Sequence, residues 1–393
     1  MRPFYTALLC LVFASSMSGS RVLGDVWVVD ASGSGDFLDI QAAVDAASAN
    51  DTLLIMGGTY SGFSIANKDL AIASDSPQTP RVSGPVTLAG LAKGGGLSLS
   101  GLHLKAGFQV NNCKGTVLFT DCTFLEPGVT TNTLGKPSQN PGMHQVLGSD
   151  DVVFAGSTLI GRDGTKVWYC GDVYDGAHGE NGLWVSDSTV SLYDCFVEGG
   201  EGGDSADGGC GLVTCFSANP SWGGHGVCVV SNGLVYMDGT QTLGGLRGDH
   251  VDCDNSWGTQ DGLAVYNDGS ATVLTGNDPY LHLNGPIVVR ETDPMALTVT
   301  GPQGAKSYMV WSATPAWRYL GLDLGILHLR SNQLNFVYLG KVPASGSLQI
   351  SITPPALPPG EDSLRAYVQP FALFSGSRLL GNVRSVAVID QTL

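Results

Sequence analysis

The sequence predicts an all-β protein: a parallel β-helix solenoid with an N-terminal cap helix, followed by a small antiparallel β-sandwich. Three observations support this. Glycine is enriched, at 55 of 393 residues, without a three-residue repeat, which favours a turn-rich β architecture over collagen. Short runs of alternating apolar and polar residues, separated by turns, recur along much of the chain. After residue 285 these give way to longer alternating runs.

The first 24 residues predict a secretory signal peptide. Arg2 supplies the positive start, residues 7–14 are apolar, and small polar residues continue to Gly24, which is the tripartite form of such a leader. No stretch has the roughly 20 apolar residues that a membrane-spanning helix needs. We therefore expect a secreted or cell-surface protein without a transmembrane segment.

The charge balance excludes some partners. The chain has 19 Lys plus Arg against 35 Asp plus Glu, a formal net charge of -16. Nucleic-acid affinity comes largely from cations that neutralise phosphates, so no nucleic acid is expected as a partner. The hydrophobic share of 43% is typical of a folded chain.

The segment from Trp27 to Tyr60 predicts a cap for the solenoid. It reads as a strand, a turn, a helix with apolar residues at Ile40, Ala43, Val44 and Ala47, and a second strand. The open end of a solenoid exposes a strand edge, and a cap covers that edge.

Repeats then follow up to residue 285. Equivalent positions lie 35 to 44 residues apart, although the repeated part of each unit is shorter. The excess is an insertion, placed each time between one coil and the next. We expect about seven coils in residues 25–285, with one aligned column at Val117, Val152, Val190, Leu234 and Thr272.

The cap carries a family resemblance. Asp30–Phe37, Ile40–Val44 and Gly58–Tyr60 resemble the N-terminal cap of right-handed parallel β-helix proteins of the pectate-lyase-like superfamily, especially pectin methylesterases. The resemblance implies a right-handed solenoid. The catalytic motifs of pectin methylesterases are absent, so their activity is not expected.

Motifs of related enzymes are incomplete. Gly224-His225-Gly226 matches one polygalacturonase motif, and Asp150-Asp151 imitates a second, but the remaining two are missing. A pectate lyase would need a calcium cluster and a basic residue, for which Arg162 and Arg247 are the candidates. Resemblance to these enzymes therefore leaves catalysis open.

Three successive insertions predict a binding lobe at one corner of the solenoid. They span Asp163–Glu180, Glu201–Gly224 and Leu246–Gln260, and we call them together the corner lobe. The lobe holds Trp168, Trp222 and Trp257, and indole rings pack against the apolar faces of sugars. The alternative is that these rings form the loops' own small core.

The cysteines divide into two groups. Cys170, Cys210, Cys215 and Cys253 lie in the corner lobe, where disulfides would staple long loops; zinc is a weaker alternative because no C-x₂-C pair occurs. Cys122, Ser157 and Cys195 occupy one column. Two coils separate the two thiols by about 9.6 Å, beyond bonding range, so they are expected to be buried and free.

A catalytic candidate comes from aligning three coil starts, NGLWV, HGVCV and DGLAV. The alignment places Asn181, His225 and Asp261 in one column. An aspartate beside a histidine would orient it as a general base. The alternative is a polar ladder that satisfies backbone groups in the turns. If the corner lobe binds a substrate, Asn181 is expected to contact it.

Calcium is the one cofactor the sequence suggests. Asp249, Asp252 and Asp254, with Asp204 and Asp207 nearby, supply the oxygen ligands that calcium prefers. The stretch GGEGGDSAD at residues 199–207 resembles a single calcium nonapeptide repeat. The alternative is a solvated acidic surface.

Residues 286–393 predict the sandwich. Six alternating runs with proline-rich connections indicate antiparallel strands; they are Ala296–Thr300, Lys306–Trp311, Leu334–Leu339, Ser347–Ile352, Leu364–Phe371 and Ser385–Ile389. The region resembles C-terminal modules of secreted bacterial proteins.

Together these features predict an exported protein that binds an extracellular polysaccharide through the corner lobe. Cleavage, as a polysaccharide lyase or glycoside hydrolase, is left open. The net charge favours neutral glycans, or acidic ones bridged by calcium. The alternative is a non-catalytic surface or matrix adhesion protein, with the solenoid as spacer and the sandwich as attachment module.

Overall fold

The computed structural model describes residues 23–76, 78–124, 129–130, 142–165, 177–204, 221–248, 260–276, 280–321, 324–354 and 356–393. Within these ranges the protein is all-β with one short helix, as predicted. No helix in the described ranges is long and apolar enough to cross a membrane.

The helix and the strands up to residue 275 belong to the solenoid and its cap, except the first strand, which pairs with the antiparallel part. In chain order these are β1 (Leu23–Gly24), β2 (Val26–Val29), α1 (Ile40–Ala46), β3 (Thr52–Ile55), β4 (Thr59–Tyr60), β5 (Phe63–Ala66), β6 (Ala71–Ser74), β7 (Arg81–Val82), β8 (Val86–Ala89), β9 (Gly96–Ser100), β10 (His103–Leu104), β11 (Phe108–Asn111), β12 (Thr116–Thr120), β13 (Thr123–Phe124), β14 (Val129–Thr130), β15 (His144–Leu147), β16 (Asp151–Ala155), β17 (Thr158–Ile160), β18 (Asp163–Gly164), β19 (Leu183–Ser186), β20 (Thr189–Tyr193), β21 (Phe196–Glu198), β22 (Val227–Val230), β23 (Leu234–Asp238), β24 (Gln241–Leu243), β25 (Val265–Asn267) and β26 (Thr272–Thr275).

The antiparallel part follows. Its strands are β27 (His282–Asn284), β28 (Val288–Arg290), β29 (Met295–Thr300), β30 (Lys306–Ser312), β31 (Pro315–Tyr319), β32 (Ile326–Leu329), β33 (Asn335–Lys341), β34 (Ser347–Ile352), β35 (Ser363–Phe374), β36 (Ser377–Leu380) and β37 (Arg384–Ile389). Each of the six predicted runs has a matching strand.

Three parallel sheets form the solenoid. Sheet 1 runs β2-β3-β6-β9-β12-β16-β20-β23-β26, sheet 2 runs β5-β8-β11-β15-β19-β22-β25, and sheet 3 runs β4-β7-β10-β13-β17-β21-β24. Each coil visits sheet 1, then sheet 3, then sheet 2, so every strand pairs with its equivalents in the coils before and after. A further parallel pair joins β14 to β18.

The turn from sheet 1 into sheet 3 explains much of the glycine and aspartate content. One residue takes the left-handed conformation there in each of five successive coils, with φ near +50 to +70° at Gly101, Asp121, Gly156, Asp194 and Gly239. Glycine adopts this conformation without strain, and aspartate and asparagine tolerate it better than other residues. The short turns seen in the sequence are therefore a stacked column.

The interior of the solenoid is apolar and aromatic. Phe119 and Phe154 stack with ring centroids 4.8 Å apart, and Phe108 and Phe124 pack beside them. The column predicted from the cysteines is confirmed, because Thr123, Thr158 and Phe196 pair in register one residue later. Cys122 and Cys195 are buried free thiols, as expected.

The predicted cap helix is also confirmed. Ile40, Ala43 and Val44 form the buried face of α1, and Ala47 forms its C-cap. The Asp39 side chain accepts a hydrogen bond from the Gln41 amide at the N-cap, which satisfies one of the helix's free donors. The helix therefore covers the apolar end of the first coils.

The column alignment is correct at three of its four steps and wrong at one. Val117 pairs with Val152, Val152 with Val190, and Leu234 with Thr272. Val190 then pairs with Val235 and not with the predicted Leu234. A one-residue slip reverses which side chains face the core, and the structure places Val235 inside.

The antiparallel strands form a sandwich with its own core. One sheet runs β28-β37-β35-β30-β33, and the other runs β27-β29-β34. The last solenoid strand ends at Thr275 and β27 begins at His282, a few residues before the boundary predicted at 285. Residues 23–24 also belong here, since β1 pairs antiparallel with β35.

The sandwich covers the outer face of sheet 1. Outward-facing Leu118, Val153 and Tyr236 pack in one apolar cluster with sandwich residues such as Ile326 and Leu380. Strands β9, β12 and β16 are buried on both faces, whereas β8, β11 and β15 of sheet 2 alternate between buried and partly exposed residues. Solenoid and sandwich thus share a core.

Candidate functional site

The base of the corner lobe is a bundle of extended chain segments, which we call the glycine bundle. Three segments leave the solenoid after sheet 3, and three return to sheet 2. The outgoing segments are residues 161–165, 198–204 and 243–248, and the returning segments are residues 177–182, 221–226 and 260–264.

Backbone hydrogen bonds join the segments within each layer. The Gly161 and Gly164 amides donate to the carbonyls of Glu198 and Glu201, at 2.8 and 2.7 Å. The returning layer repeats this pattern with its own glycines, whose amides donate at Gly179, Gly182, Gly223 and Gly226. Donors three residues apart match the threefold period of an extended polyproline-II-like helix, which forms no internal hydrogen bonds.

Further bonds join the two layers. The Glu180 amide donates to Arg162 O, Gly200 to Glu180 O, Gly224 to Gly200 O and Gly245 to Gly224 O, all at 2.8 Å. The Gly262 amide extends the same series to Gly245 O. Each inner segment is therefore bonded both to its own layer and to the opposite layer.

This close packing requires glycine. A Cβ atom on Gly200, Gly224, Gly245 or Gly262 would lie closer than 3.0 Å to a neighbouring backbone carbonyl, a spacing that real Cβ atoms essentially never show. The stretch that resembled a calcium repeat provides Gly199, Gly200, Gly202 and Gly203 to this bundle. Glycines paired at a spacing of three were the sequence signal for it, and the prediction overlooked them.

Side-chain acceptors run alongside the bundle. The Trp222 amide donates to His178 Nδ1, the His225 amide to Asn181 Oδ1, and the Leu263 amide to His225 Nδ1, each at 2.9 Å. Each side chain thus satisfies a backbone donor in the next coil. This geometry favours the polar-ladder interpretation for Asn181 and His225.

The predicted pairing of His225 with Asp261 is wrong in register. Val227 pairs with Val265, so His225 lies level with Leu263, and Asp261 falls two residues earlier. The exposed Asp261 accepts a hydrogen bond from the Arg247 amide. The structure brings Asn181 and His225 together, but places the Asp261 carboxylate on a different partner.

The environment of His225 keeps its ring neutral. The residue is 6% exposed, and its ring stacks on Tyr266 at 4.7 Å. Burial lowers the pKa of His225 to about 4. A neutral imidazole has one nitrogen lone pair, and here the Leu263 amide occupies it, so no lone pair remains to take a proton from a substrate.

Of the predicted sugar-stacking residues, the structure describes one. Trp222 is half-buried in the returning layer of the glycine bundle. Trp168 and Trp257 lie outside the described residues, as do Cys170, Cys210, Cys215 and Cys253 and the carboxylates Asp249, Asp252 and Asp254. Among the described residues, no group of three His, Cys, Asp or Glu side chains gathers to hold a metal.

The Asp150-Asp151 pair lies elsewhere, between the solenoid and the sandwich. Asp150 is exposed and forms an ion pair with Lys114 at 2.7 Å. Asp151 is buried, accepts a hydrogen bond from the Thr116 hydroxyl at 2.5 Å, and lies 3.4 Å from His328 Nδ1. The other nitrogen of His328 bonds to the Tyr193 hydroxyl, so the pair is part of the contact between the two parts of the molecule.

Comparisons with known proteins give no assignment. No protein-family model matches the chain, and no curated protein matches it. A superoxide reductase (neelaredoxin) from Ignicoccus hospitalis is similar over 28% of this chain and 80% of its own, with 9% identity and a TM-score of 0.16. The receptor-binding tailspike of bacteriophage Det7 is similar over 92% of this chain and 98% of its own, with 11% identity and a TM-score of 0.16. At these scores no activity is inferred from either.

Proposed function

We propose that the protein recognises an extracellular polysaccharide through the corner lobe. The observation that carries this is the glycine bundle: three successive coils send their insertions out and back through one hydrogen-bonded base. Loops on a rigid scaffold are where binding most often resides. The base holds the three insertions side by side, so their side chains can serve one ligand.

Binding without cleavage is the form of this proposal that the described residues favour. The Nδ1 lone pair of His225 accepts a hydrogen bond from the Leu263 amide. The Asp261 carboxylate accepts one from the Arg247 amide and does not bond to the imidazole. We therefore assign both residues to the support of the lobe. Trp222, with Trp168 and Trp257, provides the sugar-stacking surface in this proposal.

The test is a binding titration of neutral and acidic polysaccharides with the intact protein and a variant with shortened loops. In the variant, four-residue Gly-Ser linkers replace residues 167–175, 206–219 and 250–258. Such linkers can close the loops, because the two segments of each insertion lie side by side: Gly164 is beside Ala177 O, the Ser221 hydroxyl bonds to Gly203 O, and the Gly262 amide bonds to Gly245 O. Loss of binding with an unchanged melting temperature supports the proposal; retained binding rules it out.

Three point variants refine the assignment. Trp222→Ala should weaken the binding of a neutral glycan about tenfold, the loss of roughly one stacking contact. Trp317→Ala removes an exposed tryptophan outside the lobe and should leave that binding unchanged. Trp222→Phe, which keeps a ring in the bundle, should retain most of the affinity.

Calcium is part of the proposal through Asp249, Asp252 and Asp254. Carboxylates that repel one another across a loop are brought together by a divalent cation. The same titrations with millimolar calcium and with a chelator test it. If calcium raises neither the melting temperature nor the affinity for the polysaccharide, these residues are a solvated acidic surface.

We also propose export and membership of the pectate-lyase-like superfamily. The leader-like residues 1–24 support export, and the helix α1 across the first coils supports the family relationship. Residues 23–24 form the strand β1 beside β35, so cleavage at residue 22 or before would preserve that pairing. N-terminal sequencing of the secreted protein checks this position.

The second candidate is a non-catalytic adhesion protein. The elongated stack of coils supports a spacer role, but the shared core of solenoid and sandwich speaks against the sandwich as a separable attachment module. In this alternative, surface attachment would survive shortening of the corner loops.

A further inference from the structure

A groove of about 490 Å³ lies between the solenoid and the sandwich, away from the corner lobe. Turns of three successive coils form one wall, and the β31–β32 hairpin forms the other. Its volume is within the range of small-molecule sites, roughly 300–1,000 Å³. Such sites often lie where two structural units meet, as this one does.

The groove is locally cationic in a strongly acidic protein. Lys93 and Lys114 project from the solenoid wall, and Arg330 follows β32 on the opposite wall. Lys114 is balanced by Asp150. Lys93 and Arg330 have no ion-pair partner among the described residues, so two cations on facing walls are available to an anion.

The remaining lining completes a polar and aromatic surface. Trp317 stands on the hairpin wall and is 37% exposed. The Asp150 carboxylate, 56% exposed at its side chain, can accept bonds from hydroxyl groups even while it pairs with Lys114. Asp151 accepts the Thr116 hydroxyl at the floor, so the lining holds three cations against two carboxylates, a formal net charge of +1.

We propose that this groove binds an anionic saccharide unit, carboxylated or sulfated. Arg330 and Lys93 hold the acidic group, because guanidinium groups bind planar and tetrahedral oxyanions through paired hydrogen bonds. Trp317 packs on the apolar face of the sugar ring, and Asp150 accepts from its hydroxyls. Each kind of lining residue matches one feature of such a ligand.

A long polyanion does not fit this charge distribution. With a net charge of -16, the rest of the surface repels an extended acidic chain. A single acidic unit, or a chain end, enters the groove without crossing that surface. The site is separate from the corner lobe, and its ligand class differs from the neutral glycans expected there.

The test uses calorimetric titration of the full-length mature protein with three disaccharides of one size. One carries a glucuronate carboxylate, one a sulfate group, and one is neutral. Binding of either acidic probe at least tenfold tighter than the neutral probe supports the proposal, and the stronger of the two identifies the acidic group. Equal affinity for all three, or no binding, overturns it.

Point variants localise the binding. Trp317→Ala and Arg330→Gln should each lower the affinity for the acidic probe at least tenfold. Tyr338→Ala and Arg318→Gln are matched controls, exposed residues outside the groove, and should change it less than twofold. Circular dichroism checks that all four variants fold.

The corner-loop variant separates this proposal from the first. If the groove is the site, shortening the three loops leaves the acidic probe bound with unchanged affinity. Loss of the acidic probe in that variant, with Trp317→Ala unaffected, would assign binding to the corner lobe and contradict the groove. The two proposals therefore fail through different variants.

Discussion

At the residue scale, two buried histidines stabilise the fold by hydrogen bonding to backbone groups. His225 accepts the Leu263 amide, and His144 bonds through Nε2 to the carbonyl of Ile160 while it stacks on Phe108. Burial lowers the pKa of each to about 4. Both rings are neutral at physiological pH, each with one nitrogen committed to the backbone.

Replacement of His225 tests its role as a support. His225→Ala removes the acceptor of the part-buried Leu263 amide, at a cost of about 0.5–1.5 kcal/mol of unfolding free energy. His225→Asn should recover most of that stability, since Asn181 performs the same task one coil earlier. Denaturant titrations measure both. An alanine variant with wild-type stability would contradict the polar ladder.

The low pKa of His144 predicts acid sensitivity. In the unfolded chain His144 binds a proton near its ordinary pKa of 6.5, whereas in the folded protein its pKa is about 4. The stabilising contribution is therefore complete above about pH 6.5 and falls as the pH is lowered towards 4, by up to roughly 3 kcal/mol.

The matched variant for this effect is His144→Gln, whose amide can still donate to Ile160 O. Unfolding free energies at pH 7 and pH 4.5 should differ less in the variant than in the wild type. Identical pH dependence in the two proteins would show that His144 titrates normally in the folded state.

The glycine bundle is the decisive feature at the element scale. Apart from the short β18 pairing, its segments hold together through lateral bonds between threefold extended chains. Side chains are excluded from the contact surfaces, so a single Cβ atom must push two segments apart. The bundle supplies the rigidity on which the corner lobe depends.

Gly224→Ala tests this packing. Its Cβ would meet the Glu180 carbonyl, and we expect a loss of about 3 kcal/mol, the upper end of the usual cost of overpacking, together with weaker glycan binding. Gly58→Ala is the control, because its Cβ would meet side-chain atoms and no backbone carbonyl, at 3.2 to 3.5 Å. Equal melting temperatures for the two variants would contradict the bundle as described.

The union of solenoid and sandwich dominates at the scale of the whole molecule. Arg384, buried in the sandwich, bonds to the Asp121 carboxylate in a solenoid turn, and the Asp151–His328 contact lies nearby. An apolar cluster joins the two parts along sheet 1. The middle strands of sheet 1 are buried on both faces: their inward residues are apolar, and small polar residues such as Ser98 and Thr120 are buried on the sandwich side.

Leu118→Asp tests this shared core. Leu118 faces the sandwich and is fully buried, so an unpaired carboxylate there should cost at least about 3 kcal/mol of unfolding free energy. Thr87→Asp, at an outward position of sheet 2 that no sandwich strand covers, should change it by less than about 1 kcal/mol. Similar small effects would mean that the sandwich is an independent module.

The sequence allowed the fold to be predicted because periodicity and turn residues are local signals. The cap helix, the buried thiol column of Cys122 and Cys195, and the six sandwich strands are all read from spacing along the chain. Register across long insertions is not local. The slips at Leu234 and Asp261 arose because each coil was aligned by residue type, while the number of residues in each turn varies.

The candidate site could be predicted only in outline. The position of the insertions at one corner follows from the repeats, but the glycine bundle depends on contacts between segments far apart in the chain. Likewise, the groove combines Lys93 and Lys114 with Trp317 and Arg330, residues that nothing in the sequence brings together. Docking of the sandwich on sheet 1 creates that site.

Hydrogen exchange with a neutral polysaccharide bound tests the central claim most directly. Amide exchange would be compared for the free protein and for the protein saturated with the tightest neutral ligand of the titration series. The account predicts slower amide exchange in residues 166–176, 205–220 and 249–259. Exchange in the residues that line the groove between solenoid and sandwich should not change. Protection elsewhere with these three segments unaffected, or no neutral glycan bound at all, would contradict recognition by the corner lobe.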